Sequence, residues 1–142
     1  MRWLIAAGLL LAACAHAETP PGWQRTWRVA GIDCPRCSPA DRAWLAARQA
    51  ERVVFGRDAF TNPFYEDCPQ GVDYADLRPR PATEARGFLG AGRLPALGDA
   101  MPLAGAVRCA DRAGPPNTVA RVVIDGPRAY LLHESGAVLR LE

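Results

Sequence analysis

Apolar and polar positions alternate most regularly toward the C-terminus, between residues 119 and 141. Three runs in this region are rich in residues that favour strands, and turn-forming sequences separate them. The pattern predicts three antiparallel strands over residues 119–124, 129–134 and 137–141. The predicted turns lie at residues 125–128 and at Ser135-Gly136.

The turn at Ser135-Gly136 predicts the register of the last hairpin. A two-residue turn would pair Leu132 with Leu139 and Tyr130 with Leu141. Side chains alternate between the two faces of a strand, so one face of this hairpin would be wholly apolar and would face the core. This predicted core face consists of Tyr130, Leu132, Ala137, Leu139 and Leu141. The opposite face would carry Leu131, His133, Val138 and Arg140.

The N-terminal part of the chain predicts a strand followed by a helix. Residues 26–33 read as a strand with Trp27 and Val29 on one face. Ser38 and Pro39 are typical of the N-cap and the first position of a helix, which we expect to run to about Ala50. Apolar residues spaced by three and four would form its buried stripe, with Trp44 as the main anchor. The stripe consists of Ala40, Ala43, Trp44, Ala47 and Ala50.

The middle of the chain predicts further short strands. Residues 52–61 predict two short strands or one bent strand, and residues 72–77 and 106–112 predict one strand each. A short helix is predicted near residues 83–89. The whole pattern indicates a mainly β fold of about seven strands. We expect a small antiparallel barrel or sandwich with one N-terminal helix inserted after the first strand.

Composition narrows the possible functions. The chain has 142 residues, which suits one domain, and a formal net charge of +2. All 17 basic residues are arginine, which excludes lysine Schiff-base catalysis and the phosphate-binding P-loop with its lysine. The nearly balanced charge gives no indication of a nucleic-acid partner.

The first residues predict export. Met1-Arg2 precedes an apolar run of roughly ten residues, which is typical of a secretory signal and too short to span a bilayer. Residues 11–14 (Leu-Ala-Ala-Cys) resemble the lipobox of bacterial lipoproteins. That resemblance implies that Cys14 becomes the first residue of the mature chain and carries a diacylglycerol on its sulfur. Alternatively, residues 15–17 (Ala-His-Ala) fit cleavage by ordinary signal peptidase.

The two cleavage sites predict two possible ends of the signal peptide and two possible locations of the mature protein. The predicted signal peptide spans residues 1–17, or residues 1–13 if Cys14 is lipidated. Residues 18–142 then form a single β-rich domain. We expect either an outer-membrane lipoprotein that faces the periplasm, with its lipid as the membrane contact, or a soluble periplasmic protein.

Export leaves four cysteines in the domain: Cys34, Cys37, Cys68 and Cys109. An even number of cysteines in an oxidising compartment is typical of disulfide bonds. Four cysteines allow two disulfides in three possible connectivities, and the residues alone do not choose among them.

The Cys34-Pro35-Arg36-Cys37 motif has three interpretations. As a structural element, it forms a short-range disulfide or pairs with the other cysteines. Residues 29–37 also resemble the loop of heavy-metal-associated domains, which implies Cu(I) binding by the thiolates of Cys34 and Cys37. The order strand, C-x-x-C, helix resembles thioredoxin-like proteins, which implies a redox function.

Hydrolytic chemistry has little support in the sequence. His133 is the one histidine outside the signal region, and its position on a predicted strand favours a solvent-facing role over that of a general base. No serine or cysteine nucleophile motif accompanies it. Phe55, Phe60, Phe64 and Tyr65 are interpreted as core and cross-strand packing. We therefore expect a protein that is not an enzyme.

The chain as a whole resembles a group of small exported proteobacterial proteins with a lipocalin-like half. The residues that carry this resemblance are Trp27-Arg28-Val29, Tyr65-Glu66-Asp67-Cys68, Val107-Arg108-Cys109 and the closing hairpin over residues 137–141. It implies a lipocalin-like barrel and a disulfide between Cys68 and Cys109. Lipocalin relatives hold small apolar ligands in the mouth of the barrel.

These observations predict a non-enzymatic cell-envelope protein without a resident cofactor. A disulfide-stabilised β-barrel would bind a small ligand or an envelope partner. The alternatives are a periplasmic Cu(I)-binding protein that uses Cys34 and Cys37, and a thioredoxin-like redox protein.

Overall fold

The computed structural model describes residues 19–64, 67–90, 96–110 and 117–142. The predicted signal peptide with Cys14, the Tyr65-Glu66 pair and the end of the strand predicted over residues 106–112 lie outside the described residues. The strands are β1 (Thr26–Asp33), β2 (Arg52–Phe55), β3 (Phe60–Thr61), β4 (Val72–Asp73), β5 (Arg78–Pro79), β6 (Leu103–Cys109), β7 (Thr118–Asp125), β8 (Arg128–Leu132) and β9 (Val138–Leu141). The helices are α1 (Pro39–Ala46) and α2 (Ala82–Phe88).

The strands form one antiparallel sheet that curls into a nearly closed barrel. Its order is β3-β2-β1-β9-β8-β7-β6-β4, and β5 also pairs with β6. The two ends of the sheet meet, because Phe60 and Cys68 exchange two backbone hydrogen bonds of 2.8 Å. The backbone N–H of Val72 in β4 also donates to the carbonyl oxygen of Asp58 at 3.2 Å.

The predicted fold class is confirmed, and the architecture is a barrel. The described residues contain nine strands, because residues 72–79 supply two short strands that each pair with β6. The helix inserted after β1 is present, and the short helix expected near residues 83–89 is α2.

The interior of the barrel is filled by side chains. Trp27 is 1% exposed, and its indole N–H donates to the carbonyl oxygen of Trp23 at 3.0 Å, so its polar atom is satisfied. The other large, fully buried residues of this core are Val29, Leu45, Val53, Phe55, Phe60, Val107, Leu131, Leu139 and Leu141.

The register of the last hairpin differs by one residue from the prediction. Leu131 pairs with Leu139 and Leu132 with Val138. The N–H of Gly136 donates to the carbonyl of His133, and Gly136 has φ +83°, so the loop has three residues instead of two. A one-residue shift reverses the faces of a strand.

On β8, this shift makes the predicted core face wrong. Leu131 points into the barrel, and Tyr130 and Leu132 lie on the outer face. They remain covered, because Ala85 and Leu89 of the α2 segment pack over this outer face. Strand β8 is therefore buried on both sides, which explains its nearly continuous apolar sequence.

Helix α1 also differs from the prediction, in its length and in its buried face. The helix ends at Ala46, because the chain must turn back to place β2 beside β1. At this turn Ala50 adopts φ +73° and donates its N–H to the carbonyl of Val29. Leu45 is the buried anchor at 1% exposure, whereas Trp44 is 38% exposed. Within the described ranges, neither helix is long and apolar enough to cross a membrane.

Candidate functional site

An open groove with a volume of about 890 Å³ lies on the barrel surface beside the β8–β9 hairpin. Trp44, Phe64 and His133 contact one another and form one wall, and Leu89 at the end of α2 also lines the groove. Arg121 of β7 also lines the groove, together with Leu132. The volume falls within the range of small-molecule binding sites.

Trp44 is held in the wall by contacts from three sides. The guanidinium of Arg48 lies 3.7 Å from the centre of its ring. Arg48 is itself fixed, because it donates hydrogen bonds to the carbonyl oxygens of Trp44 at 2.9 Å and Pro63 at 3.2 Å. The Trp44 ring also contacts Phe64, with centroids 6.1 Å apart, and His133, with centroids 5.4 Å apart. This exposed tryptophan is therefore pre-oriented.

His133 occupies the base of the same wall, and the prediction that it faces solvent is wrong. Its side chain is buried because the three-residue loop folds Ser135 back over the ring. The backbone N–H of Ser135 donates to Nδ1 at 3.2 Å, and the Ser135 hydroxyl oxygen lies 2.8 Å from the same atom. An Nδ1 that accepts a hydrogen bond belongs to the neutral ring with its proton on Nε2.

Burial lowers the pKa of His133 below its ordinary value. The negative charges of Glu134 and Asp41 and a hydrogen bond with the backbone of Phe64 oppose this effect. Because desolvation is the largest of these influences, the folded protein favours the neutral imidazole.

We expect His133 to make the free energy of unfolding depend on pH. Its pKa is lower in the folded than in the unfolded chain, so the unfolded chain binds more protons as the pH falls below about 6.5. The stabilisation is present above that pH and is lost as the pH falls through the pKa of the folded protein. Urea unfolding of the wild type and of His133→Asn at several pH values measures the effect. Asparagine is chosen because its side chain retains an acceptor for the Ser135 N–H but does not titrate. The wild type loses its His133 stabilisation on protonation, so the difference in unfolding free energy between the two proteins should shrink toward acid pH. A difference that is constant with pH would contradict the lowered pKa of His133.

Arg121 adds a positive charge to the groove, which is lined by aromatic and apolar side chains and also by Thr118 and Glu134. Its side chain is exposed, and its guanidinium carbon lies 6.0 Å from the ring centre of Phe88. Leu132, which is partly buried, provides apolar surface in the same groove. A ligand that fits this combination has an apolar or aromatic body and an anionic group.

The four predicted disulfide cysteines form two bonds, Cys34–Cys37 and Cys68–Cys109. The second bond is the one that the lipocalin-like resemblance implied. It is completely buried, with Cys68 at 0% and Cys109 at 1% exposure, and it joins the end of β6 to the segment after β3. Cys34–Cys37 links the end of β1 to the start of α1, and Cys34 is only partly buried.

The Cu(I) interpretation requires Cys34 and Cys37 in the reduced form, whereas a thioredoxin-like redox site alternates between the disulfide and the dithiol. In the disulfide, neither sulfur is a thiolate that could coordinate Cu(I). Among the described residues, no group of three or more histidine, cysteine, aspartate and glutamate side chains is arranged to hold a metal ion. Copper binding therefore stays a prediction for the reduced chain.

Sequence reasoning misses the groove because its residues come from distant parts of the chain. The pattern of apolar positions places Trp44 in the core and His133 in solvent, and it does not single out Arg121. One available signal is the Trp44-Leu45 pair: successive residues of a helix point about 100° apart, so only one of them faces the core fully.

The chain matches no protein-family profile, no curated protein and no solved structure. The lipocalin-like and lipoprotein resemblances therefore stay predictions that rest on the residues quoted for them. The structure defines the class of the protein: a small, disulfide-bonded antiparallel β-barrel with an open groove on its outer surface.

Proposed function

We propose that the protein is a non-enzymatic binding protein of the cell envelope, and that it holds a small amphipathic ligand in the groove between Trp44 and Arg121. The observation that carries this proposal is the groove itself, with pre-oriented aromatic rings on one wall and an exposed guanidinium nearby. Its ligand has an apolar or aromatic body that stacks on Trp44 and an anionic group that pairs with Arg121.

The filled barrel interior supports a site on the outer surface. Core side chains such as Trp27, Phe55 and Leu139 are 1% exposed or less, whereas the groove is an open concave surface outside this core. The groove also has a rigid base, because strand β7 and the β8–β9 hairpin are covered on their other face by the core. A preformed site reduces the entropy lost on binding.

Export to the envelope is supported by the signal sequence and by the two disulfides. Disulfides persist in oxidising compartments such as the periplasm. We place the protein at the outer membrane through a lipid on Cys14. Intact-mass measurement of protein isolated from the envelope tests this: a chain that begins at Cys14 with acyl mass supports the anchor, and a chain that begins at Glu18 refutes it.

The binding proposal is tested with 1-anilinonaphthalene-8-sulfonate, a fluorescent probe with an aromatic body and one negative charge. We expect saturable binding of one probe per folded chain. Trp44→Ala should weaken binding about 5- to 10-fold, because an aromatic stacking contact is worth about 1 kcal/mol beyond its buried area. Arg121→Gln should weaken it about 3- to 10-fold and should remove most of its dependence on salt.

Two matched variants control for general effects on surface hydrophobicity and charge. Met101 is the other large exposed apolar residue of the described chain, and Met101→Ala leaves the groove intact. Arg128 is exposed at the far end of β8, so Arg128→Gln matches the change at Arg121. If Trp44→Ala and Arg121→Gln weaken probe binding no more than Met101→Ala and Arg128→Gln do, the proposal is contradicted. Weak binding without saturation would favour a protein partner as the occupant.

A further inference from the structure

The two disulfides differ in their access to solvent. Cys68 and Cys109 are at most 1% exposed, so an external thiol cannot reach either sulfur in the folded protein. Cys34 is partly exposed, and it is followed by Pro35 and Arg36, both of which are exposed. The Cys34–Cys37 bond therefore lies closer to solvent than the Cys68–Cys109 bond, and Cys34 is its more exposed residue.

The buried side of this bond contacts the wall of the groove. The hydroxyl oxygen of Ser135 lies 3.5 Å from Sγ of Cys37 and 2.8 Å from Nδ1 of His133. The His133 ring in turn contacts Trp44, with centroids 5.4 Å apart. A continuous series of contacts thus connects the disulfide to the groove. Ser135 has a single hydroxyl proton, which it can donate to only one of its two neighbours at a time.

We propose that Cys34–Cys37 is a thiol–disulfide exchange site for a dithiol partner, and that Ser135 transmits its redox state to His133 in the groove wall. The exchange site is inferred from the exposure of Cys34 and does not depend on the groove. The transmission to His133 rests on the proposed function of the groove as the binding site.

The exchange reaction follows from the placement of the two sulfurs. A thiolate of the partner attacks Sγ of Cys34, the Cys34–Cys37 bond breaks, and Cys37 leaves as a thiolate. The second thiol of the partner, once deprotonated, attacks the mixed disulfide and releases Cys34, which takes a proton from water. The barrel gains two electrons and, when both thiolates are protonated, two protons. The partner dithiol is oxidised to its disulfide.

The Cys37 thiolate changes the hydrogen bonding of Ser135. In the oxidised protein, the Ser135 hydroxyl can donate to Nδ1 of neutral His133. In the reduced protein, it turns toward the Cys37 thiolate, which is the stronger acceptor because it is charged. Nδ1 of His133 then loses the hydroxyl as a donor, while the backbone N–H of Ser135 stays in place, so the neutral ring is less stabilised. Reduction should therefore favour the charged imidazole in the groove wall.

The other charged groups near His133 are the same in the oxidised and in the reduced protein. Asp41 of α1 and Glu134 of the hairpin both favour the charged imidazole. The guanidinium of Arg48 stacks on Trp44, the ring that contacts His133. Because these groups are present before and after reduction, a difference in His133 between the two states reports on the sulfur and Ser135.

The barrel should stay folded when this bond is reduced. Cys34 and Cys37 are only 3 residues apart, whereas Cys68 and Cys109 are 41 apart, so opening the shorter loop frees less entropy in the unfolded chain. Helix α1 also has other anchors, since Ser38 accepts a hydrogen bond from the Asp41 N–H at 3.1 Å and Leu45 is fully buried.

The exchange site is tested on the full mature chain with dithiothreitol, a small dithiol, under native conditions. Samples are quenched with iodoacetamide at intervals and each cysteine is quantified by peptide mass spectrometry. We expect Cys34 and Cys37 to be modified at least about 10-fold faster than Cys68 and Cys109. Equal rates, or reduction of Cys34–Cys37 only in denaturant, would overturn the proposal.

Transmission to the groove is tested on the oxidised and reduced protein by NMR titration of His133 and by binding of 1-anilinonaphthalene-8-sulfonate. Reduction should raise the pKa of His133 and change probe affinity at least about twofold. Ser135→Ala should abolish both effects, and Ser135→Thr, which keeps the hydroxyl, should restore them.

The outcomes separate this proposal from the proposed function. A pKa of His133 that is the same in both redox states would overturn transmission through Ser135. Absence of saturable probe binding in both states would refute ligand binding in the groove, but it would leave the exchange rates and the His133 titration as valid tests of the redox site.

Discussion

Replacing Cys68 and Cys109 together with alanine is expected to lower the free energy of unfolding by about 4 kcal/mol. This bond closes a loop of 41 residues, and its loss gives the unfolded chain much more conformational freedom. It also fastens the segment after β3 to the end of β6, which lies near the place where the two ends of the sheet meet. Urea unfolding followed by far-ultraviolet circular dichroism measures the change.

The double variant Cys34→Ala/Cys37→Ala is the matched control. The same atoms are removed, but the loop has a sequence separation of only 3, so the expected loss is about 2 kcal/mol. A loss at Cys34 and Cys37 equal to or greater than that at Cys68 and Cys109 would contradict this account. It would also weaken the expectation that the barrel stays folded when the shorter bond is reduced.

Gly105→Ala is expected to destabilise the protein by about 3 kcal/mol or more. Gly105 lies in the middle of β6, where a Cβ atom would overlap the carbonyl oxygen of Asp76 and come 2.9 Å from the backbone nitrogen of Leu77. These are backbone atoms, so no side-chain rotation relieves the clash. Either β6 or the neighbouring turn must move.

The turn against Gly105 resists such a movement. Asp76 accepts a hydrogen bond from the Ala106 N–H at 2.8 Å and another from the guanidinium of Arg80 at 3.1 Å. Arg80 also donates to the carbonyl oxygen of Ala104 at 2.9 Å. Displacing the turn would therefore break several buried hydrogen bonds at once.

Gly87→Ala is the control, and it is expected to raise the free energy of unfolding instead of lowering it. Gly87 lies in α2, and a Cβ atom there would meet nothing within 4 Å. Alanine favours a helix over glycine, so this variant should gain about 0.5–1 kcal/mol. Thermal and urea unfolding of both variants makes the comparison. Equal stability changes at Gly105 and Gly87 would contradict the close approach of the turn to β6.

The register of the last hairpin illustrates where prediction from the sequence ends. Ser135-Gly136 fits a two-residue turn, but it fits equally well the end of a three-residue loop with glycine in the left-handed region. The barrel adopts the second arrangement. Leu131 is then buried inside and Tyr130 lies under α2, so the apolar residues of β8 are covered on both faces. Periodicity alone cannot distinguish one register from the other when both faces are apolar.

The same one-residue difference accounts for the candidate site. It places His133 directly after the end of β8, next to the loop, where Ser135 hydrogen-bonds to its ring and Trp44 contacts it. Trp44 reaches this position because Leu45, its neighbour on α1, takes the buried place in the core. The contact between Trp44 and His133 could not be predicted from local spacing, since about ninety residues of chain separate the two.

The amino-acid sequence was sufficient to predict the elements whose signals are local. The alternating strands, the Ser38-Pro39 helix start and the even set of cysteines depend only on each residue and its near neighbours. The hairpin register and the outward position of Trp44 follow only from the folded barrel. Each of these depends on which distant segments meet when the sheet closes, and burial then favours one of several locally acceptable arrangements.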